Sequence, residues 1–144
     1  MTVLDASALT AFLLDEPARE EVAALLRMRP PPAINAVNLE EVLDQLIRVE
    51  GRRAAEVDDA VDLLLVGGLE VEPFWLPNSR HAAVLRSLYY DRRTAALSLA
   101  DCACLATAIS LQRDLATSDA ALAAAARSEG VTVIPLPNSM GVVP

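Results

Sequence analysis

The stretch from Ala95 to Gln112, AALSLADCACLATAISLQ, constrains the fold more than any other part of the chain. Its pattern is helical, and Leu99, Cys102, Ala103, Leu105, Ala106 and Ile109 leave it no clear polar face, which is how a helix buried on all sides reads. It carries one charge, Asp101. A lone buried carboxylate is costly unless it is paired, hydrogen-bonded or bound to a metal. Ser98 and Asp101 stand at capping-box spacing, which gives the acid one structural use. Other acids reaching the same place would give it a second.

The segments around that helix alternate in type. Thr2-Val3-Leu4 is a short apolar run ending at Asp5 and is predicted as a buried strand. Ala6 to Leu14 follows a helical pattern, and Pro17 is expected to open a second helix reaching Met28. Pro30, Pro31 and Pro32 break the chain before a second strand at Ala33 to Val37. Asn38 is expected to cap a helix running to Glu50, with Leu39, Val42, Leu43, Leu46 and Val49 on one stripe. Arg53 to Val66 reads as a helix ended by Gly67-Gly68, and Leu69 to Phe74 as a third strand. Asn78 is expected to cap a helix to Tyr90. Asp114 to Thr117 is a fourth strand, Ala120 to Arg127 a short helix, Val131 to Ile134 a fifth strand, and the tail from Pro135 irregular. Strands alternating with helices predict a three-layer α/β/α fold with a mostly parallel sheet of about five strands. The length of 144 residues predicts a single domain over 1–144.

Composition excludes several functions. All twelve basic residues are arginine, so neither a P-loop lysine nor a Schiff-base lysine is present. His81 is the only histidine, which argues against histidine triads and multi-histidine zinc sites. Cys102 and Cys104 are two apart on a helix and point to different faces, so they are expected to be reduced thiols. No apolar run is long enough to span a bilayer and no signal peptide opens the chain, so a cytoplasmic protein without membrane contact is expected. The net charge of −8 does not suggest a nucleic-acid binder.

In open parallel sheets, sites form beyond the carboxyl ends of the strands. Asp5 follows strand one, Glu41 lies in the first turn expected after strand two, Asp101 opens the buried helix, and Asp119 lies just beyond strand four. Each has a structural use as a cap or a first-turn acid. Together they place too many carboxylates at one edge unless a cation neutralises them. With no thiol or histidine cluster available, a hard cation such as Mg²⁺ or Mn²⁺ is favoured over Zn²⁺. Glu41 is preferred to Glu40 because it stands at box spacing from Asn38, and Asp119 to Asp114 because Asp114 begins its strand at the opposite edge.

These stretches resemble the PIN-domain family, specifically the VapC-type toxins of toxin–antitoxin pairs. The resemblance rests on Val3-Leu4-Asp5-Ala6-Ser7-Ala8-Leu9, on Asn38-Leu39-Glu40-Glu41-Val42, on Leu97-Ser98-Leu99-Ala100-Asp101 with Leu105-Ala106-Thr107-Ala108, and on Thr117-Ser118-Asp119, in that order along the whole chain. Ser118 stands where many relatives carry alanine. The resemblance implies a PIN-like fold and a Mg²⁺-dependent endoribonuclease, Mn²⁺ being an alternative ion, that hydrolyses RNA by metal-activated water. Acids matching Asp5 and Asp101 would hold the metal, with Glu41 and Asp119 completing the catalytic pocket and Ser7 and Thr117 orienting ligands or water. It also implies a homodimer held inactive by a cognate VapB-type antitoxin in a hydrophobic groove, for which the helices Asn38–Glu50 and Arg53–Val66 are the expected walls. RNA backbone contacts would fall to arginines outside the pocket: Arg52-Arg53, Arg92-Arg93, Arg48, Arg80 and Arg86. The competing expectation is a catalytically silent PIN-like module that binds a protein or RNA partner. A phosphatase is disfavoured because position seven is Ser rather than Asp, and a receiver domain because there is no lysine.

Overall fold

The computed structural model describes residues 1–144. Its five strands are β1 (Thr2–Leu4), β2 (Ala33–Asn35), β3 (Glu70–Glu72), β4 (Asp114–Thr117) and β5 (Val133–Pro135). They form one sheet in the order β3-β2-β1-β4-β5, and every neighbouring pair is parallel. The helices are α1 (Ala6–Leu13), α2 (Arg19–Leu26), α3 (Ala36–Asp44), α4 (Ala54–Val66), α5 (Leu76–Tyr89), α6 (Leu99–Leu111) and α7 (Ala120–Ser128). A π-helical turn, Gln45–Val49, continues α3.

Period-two alternation on the central strands divides the core in two. Leu4 and Ala116 face one apolar cluster with Leu9 of α1, Val22 of α2, Val42 of α3 and Val57 of α4. Val3 and Leu115 face the other, with Leu85 of α5, Leu105 of α6 and Leu122 of α7. The three-layer α/β/α expectation holds, with α1–α4 on one face and α5–α7 on the other. Residues 102–108 of α6 are all buried, as its lack of a polar face predicted, while Leu99 at its start is open to solvent. Both cysteines are buried and reduced.

β1 is wholly buried at the sheet centre. The chain builds outward from it through β2 to β3, then crosses to β4 on its other side. This switch in strand order leaves a crevice beyond the carboxyl ends of β1 and β4, the position where α/β sheets bind ligands.

Several helix starts differ from expectation. The helix after β2 begins at Ala36, not at Leu39, because Asn35 is its cap: Asn35 Oδ1 accepts from the N–H groups of Val37 and Asn38. Two asparagines three residues apart compete for one cap, and the strand ends two residues earlier than Ala33–Val37 suggested. Glu41 therefore sits in the second turn of α3, and the expected Asn38–Glu41 capping box does not form. Asn78 caps nothing; α5 starts at Leu76 with Pro77 in its first turn. α2 starts at Arg19, two residues beyond Pro17. Asn35→Ala is expected to cost at least about 1 kcal/mol in urea unfolding, while Asn78→Ala changes stability by less than about 0.5 kcal/mol.

Candidate functional site

The crevice at the switch point is a cleft of about 410 Å³ lined by Asp5, Glu41, Asp101 and Asp119, the four acids singled out from the sequence. Glu40 is not among its walls. Asp114 lines a separate depression with Gln112 and Arg113. No lysine, arginine or histidine lines the cleft.

Asp5 is the deepest of the four, 2 % exposed. It occupies the N-cap position of α1 but makes no capping hydrogen bond. Its carboxylate is held by three other elements of the chain. Ser7 Oγ donates to Oδ2 at 2.7 Å, Thr117 Oγ1 to Oδ2 at 3.0 Å and Asn38 Nδ2 to Oδ1 at 3.2 Å. The two hydroxyls are themselves anchored, since Ser7 Oγ accepts from Ser118 N–H at 3.3 Å and Thr117 Oγ1 from Asp119 N–H at 3.0 Å. Burial, and then the nearby Asp101 carboxylate, push the Asp5 carboxyl up to about 6, against the pull of Ser7, Thr117 and the Ala6 N–H.

Asp101 has two uses at once. It closes the capping box of α6, accepting from Ser98 N–H at 2.6 Å while Ser98 Oγ accepts from Asp101 N–H at 2.9 Å. It also faces the cleft, half-buried, and burial raises its carboxyl above the ordinary range although the bonds to Ser98 oppose this. Asp119 caps α7 through Leu122 N–H at 2.6 Å and stands exposed at the rim. Glu41 caps nothing and stands open to solvent at the cleft mouth. The protein around it still strips part of its hydration, and with Asp5, Asp101, Glu40 and Asp44 nearby its carboxyl rises to about 7.

The donor chemistry fits a hard divalent cation: carboxylate and hydroxyl oxygens, no positive side chain in the lining although Arg86 acts on Asp101 from outside it, and acids that resist ionising together. No three of these acids are gathered into a ready-made ligand cluster, so the fit lies in the donor set and not in a preformed cage.

Sequence reasoning missed other lining residues. Glu16, from the turn before α2, adds a fifth carboxylate; Thr10 and Gln45 add neutral groups, and the tail adds Asn138 and Ser139. Gln45 opens the π-helical turn, a distortion often found at functional sites. No sequence signal marked the tail, because its place at the cleft is set by the β5 edge of the sheet. The arginines divide as well. Arg48 is paired with Asp44, Arg53 with Glu56, and Arg86 donates to Leu97 O at 3.0 Å while stacking on Tyr90. Of the seven named from sequence, Arg52, Arg80, Arg92 and Arg93 keep their guanidinium groups free of protein partners.

The chain belongs to the PIN domain family, whose model matches residues 2–134. Solved structures with the same fold include the toxin VapC20 of Mycobacterium tuberculosis, described as cleaving the sarcin–ricin loop. It is 22% identical with a TM-score of 0.66, over 87% of this chain and 95% of that one. FitAcB of Neisseria gonorrhoeae is 22% identical with a TM-score of 0.66, over 93% and 96%. VapBC2 of Rickettsia felis, solved bound to a promoter DNA fragment, is 15% identical with a TM-score of 0.67, over 92% and 96%. At these identities the likeness is one of fold. No curated protein sequence matches this one significantly.

The raised carboxyls set a pH dependence. In the unfolded chain Asp and Glu titrate near 3.8 and 4.5, but in the folded protein Asp5 keeps its proton to about 6 and Glu41 to about 7. Between those limits the folded state binds more protons, so stability is fully present below about pH 4 and falls as pH rises to about 7. Asp44 and Asp91, shifted down by hydrogen bonds to Arg48 and to the Arg93 and Thr94 N–H groups, act below that window. Metal-free protein should therefore show a urea midpoint that declines from pH 4 to pH 7, and Asp5→Asn should flatten the decline.

Proposed function

We propose that this chain is a divalent-cation-dependent endoribonuclease, the toxin of a type II toxin–antitoxin pair, acting in the cytoplasm as a single PIN-like domain. The observation that carries this reading is Asp5: a buried carboxylate with only neutral donors, no counter-cation and no capping role, at the centre of an acid-lined cleft. Such a group stores unfavourable electrostatics that a bound Mg²⁺ or Mn²⁺ would relieve. Membership of the PIN domain family and the shared fold with toxin structures support the reading.

Asp5 and Asp101 are the residues proposed to hold the ion. When bound, a divalent cation lowers the pKa of water and offsets charge on the phosphodiester oxygens. Glu41 stands at the mouth, where its carboxylate is placed to orient water or accept its proton. Asp119, fixed by its cap to α7, completes the acidic wall. Ser7 and Thr117 keep Asp5 oriented. The acids repel bare RNA, so the free guanidinium groups of Arg52, Arg92 and Arg93 are the proposed backbone contacts.

Two apolar surfaces support the partner assignments. A groove of about 250 Å³ between α1, α2 and α4, walled by Phe12, Ala23, Leu26, Leu63 and Leu64, suits an amphipathic segment of a VapB-type antitoxin. It shares the helix Arg53–Val66 with the pair of walls that the resemblance implied, and takes α1 and α2 in place of the helix after Asn38. On the opposite face, Leu76, Val84 and Leu88, eight and four residues apart, lie exposed along one row of α5, suited to a homodimer contact. No helix is long and apolar enough to cross a membrane.

The deciding experiment combines metal binding with cleavage. Mn²⁺ should raise the thermal midpoint of the wild type, EDTA should reverse it, and Asp5→Asn should lose it. Metal-dependent cleavage of single-stranded RNA should fall to background in Asp5→Asn and Asp101→Asn. The Asp101→Asn protein should remain folded, since asparagine can still accept from Ser98 N–H. Mn²⁺ binding without cleavage of any RNA would favour the silent-module reading. Separately, Val84→Glu with Leu88→Glu should convert a dimer to a monomer in sedimentation without lowering the midpoint by more than a few degrees.

A further inference from the structure

We infer that Asn35 and Asn38 form an amide relay that fixes the orientation of the Asp5 carboxylate in the cleft. Both side chains are fully buried, and neither belongs to the four acids. The inference rests on the divalent-cation reading only for what Asp5 is oriented toward.

The polarity of the relay follows from the start of α3. Asn35 Oδ1 accepts from Val37 N–H and from Asn38 N–H, each at 2.9 Å. Two backbone donors cannot face an amide nitrogen, so the Asn35 side chain has one allowed orientation. Its Nδ2 is thereby turned toward Asn38, whose Oδ1 accepts. Asn38 is then fixed in turn, and its Nδ2 donates to Asp5 Oδ1 at 3.2 Å. A flipped Asn38 would set its oxygen against the carboxylate and its nitrogen against another nitrogen. Helix α3 thus dictates, through two amides, which group meets Asp5.

Capping alone does not explain this pair. An N-cap needs only an acceptor, which serine or aspartate supplies as well as asparagine. The donor half of Asn35 is surplus to that task. Asn38 is a buried polar residue inside a helix, and such a group is costly unless each part is bonded. Its benefit lies at Asp5. Ser7 and Thr117 both bind Oδ2, so without Asn38 the carboxylate would be held by side chains at one oxygen only and could turn about that point. An amide also holds the acid without neutralising it, as arginine would, so the full charge stays available to a cation. Partners that orient metal ligands in this way are typically worth about 10–100-fold in metal affinity.

The test uses the full-length chain, Mn²⁺ alone as the probe, and Asn35→Ser. Serine keeps the cap but removes the donor to Asn38. Apparent Mn²⁺ affinity, read from the shift in thermal midpoint relative to the same protein without metal, should fall about tenfold or more, while the metal-free midpoint falls by several degrees because Asn38 Oδ1 loses its donor. In metal-free wild type, the Asn38 side-chain amide protons should exchange slowly with solvent by NMR, and Asn35→Ser should speed that exchange. Mn²⁺ affinity in Asn35→Ser equal to the wild type would overturn the relay and leave the cation site standing. Free exchange of the Asn38 amide in the wild type would also overturn it, and this arm decides the matter if Asn35→Ser does not fold. Slow exchange that Asn35→Ser abolishes, in a protein that never responds to Mn²⁺, would uphold the relay while the cation reading falls.

Discussion

The structure turns on how a carboxylate is kept at the buried end of its central strand. Asp5 follows β1, the middle strand of the five, at the floor of the cleft, where only 2 % of the residue is exposed. Such a group is tolerated only if its oxygens are bonded, and here the donors come from α1, α3 and β4. The bonds lower its cost without removing it, which is why the carboxyl still rises to about 6. The starts of α1 and α7, the first turn of α3 and the end of β4 are tied to this one side chain, directly or through a neighbouring hydroxyl. A fold selected for stability alone would place an apolar or amide side chain there.

The remaining acids show that structural and chemical uses of a residue are not alternatives. Asp101 closes a capping box and faces the cleft; Asp119 caps α7 and stands at its rim. A capping carboxylate bonds through one oxygen and is fixed in place by its own helix. That makes it a rigid contributor to a site at no separate cost in side-chain ordering. Asp5 and Glu41, which cap nothing, are the pair whose positions local structure leaves unexplained. They are also the two acids shifted to about 6 and about 7.

Much of this was legible beforehand. The alternation of short apolar runs with helical stripes announced a parallel sheet between two helical layers, and the featureless apolarity of 102–108 announced the buried α6. The edge shared by the four acids followed from counting which junctions come after strands. Boundaries near asparagine were the weak point. Asn35 and Asn38 both make good caps, and only the length of β2, fixed by its pairing with β1 and β3, decides between them. Glu16 and the tail at Asn138 and Ser139 carried no periodic or motif signal.

By itself the sequence determined the order of elements, the class of fold and the edge on which the acids gather. Those properties depend on periodicity and on which residue follows a strand, and both are local. Tertiary structure decided which acid is buried, which is a cap, and which arginines stay free. It also made a partner of Asn38, expected only as a cap. The bonds that settle these matters join Asp5 to residues 33 and 112 positions away. Their strength comes from exclusion of water by layers that exist only once the chain has folded.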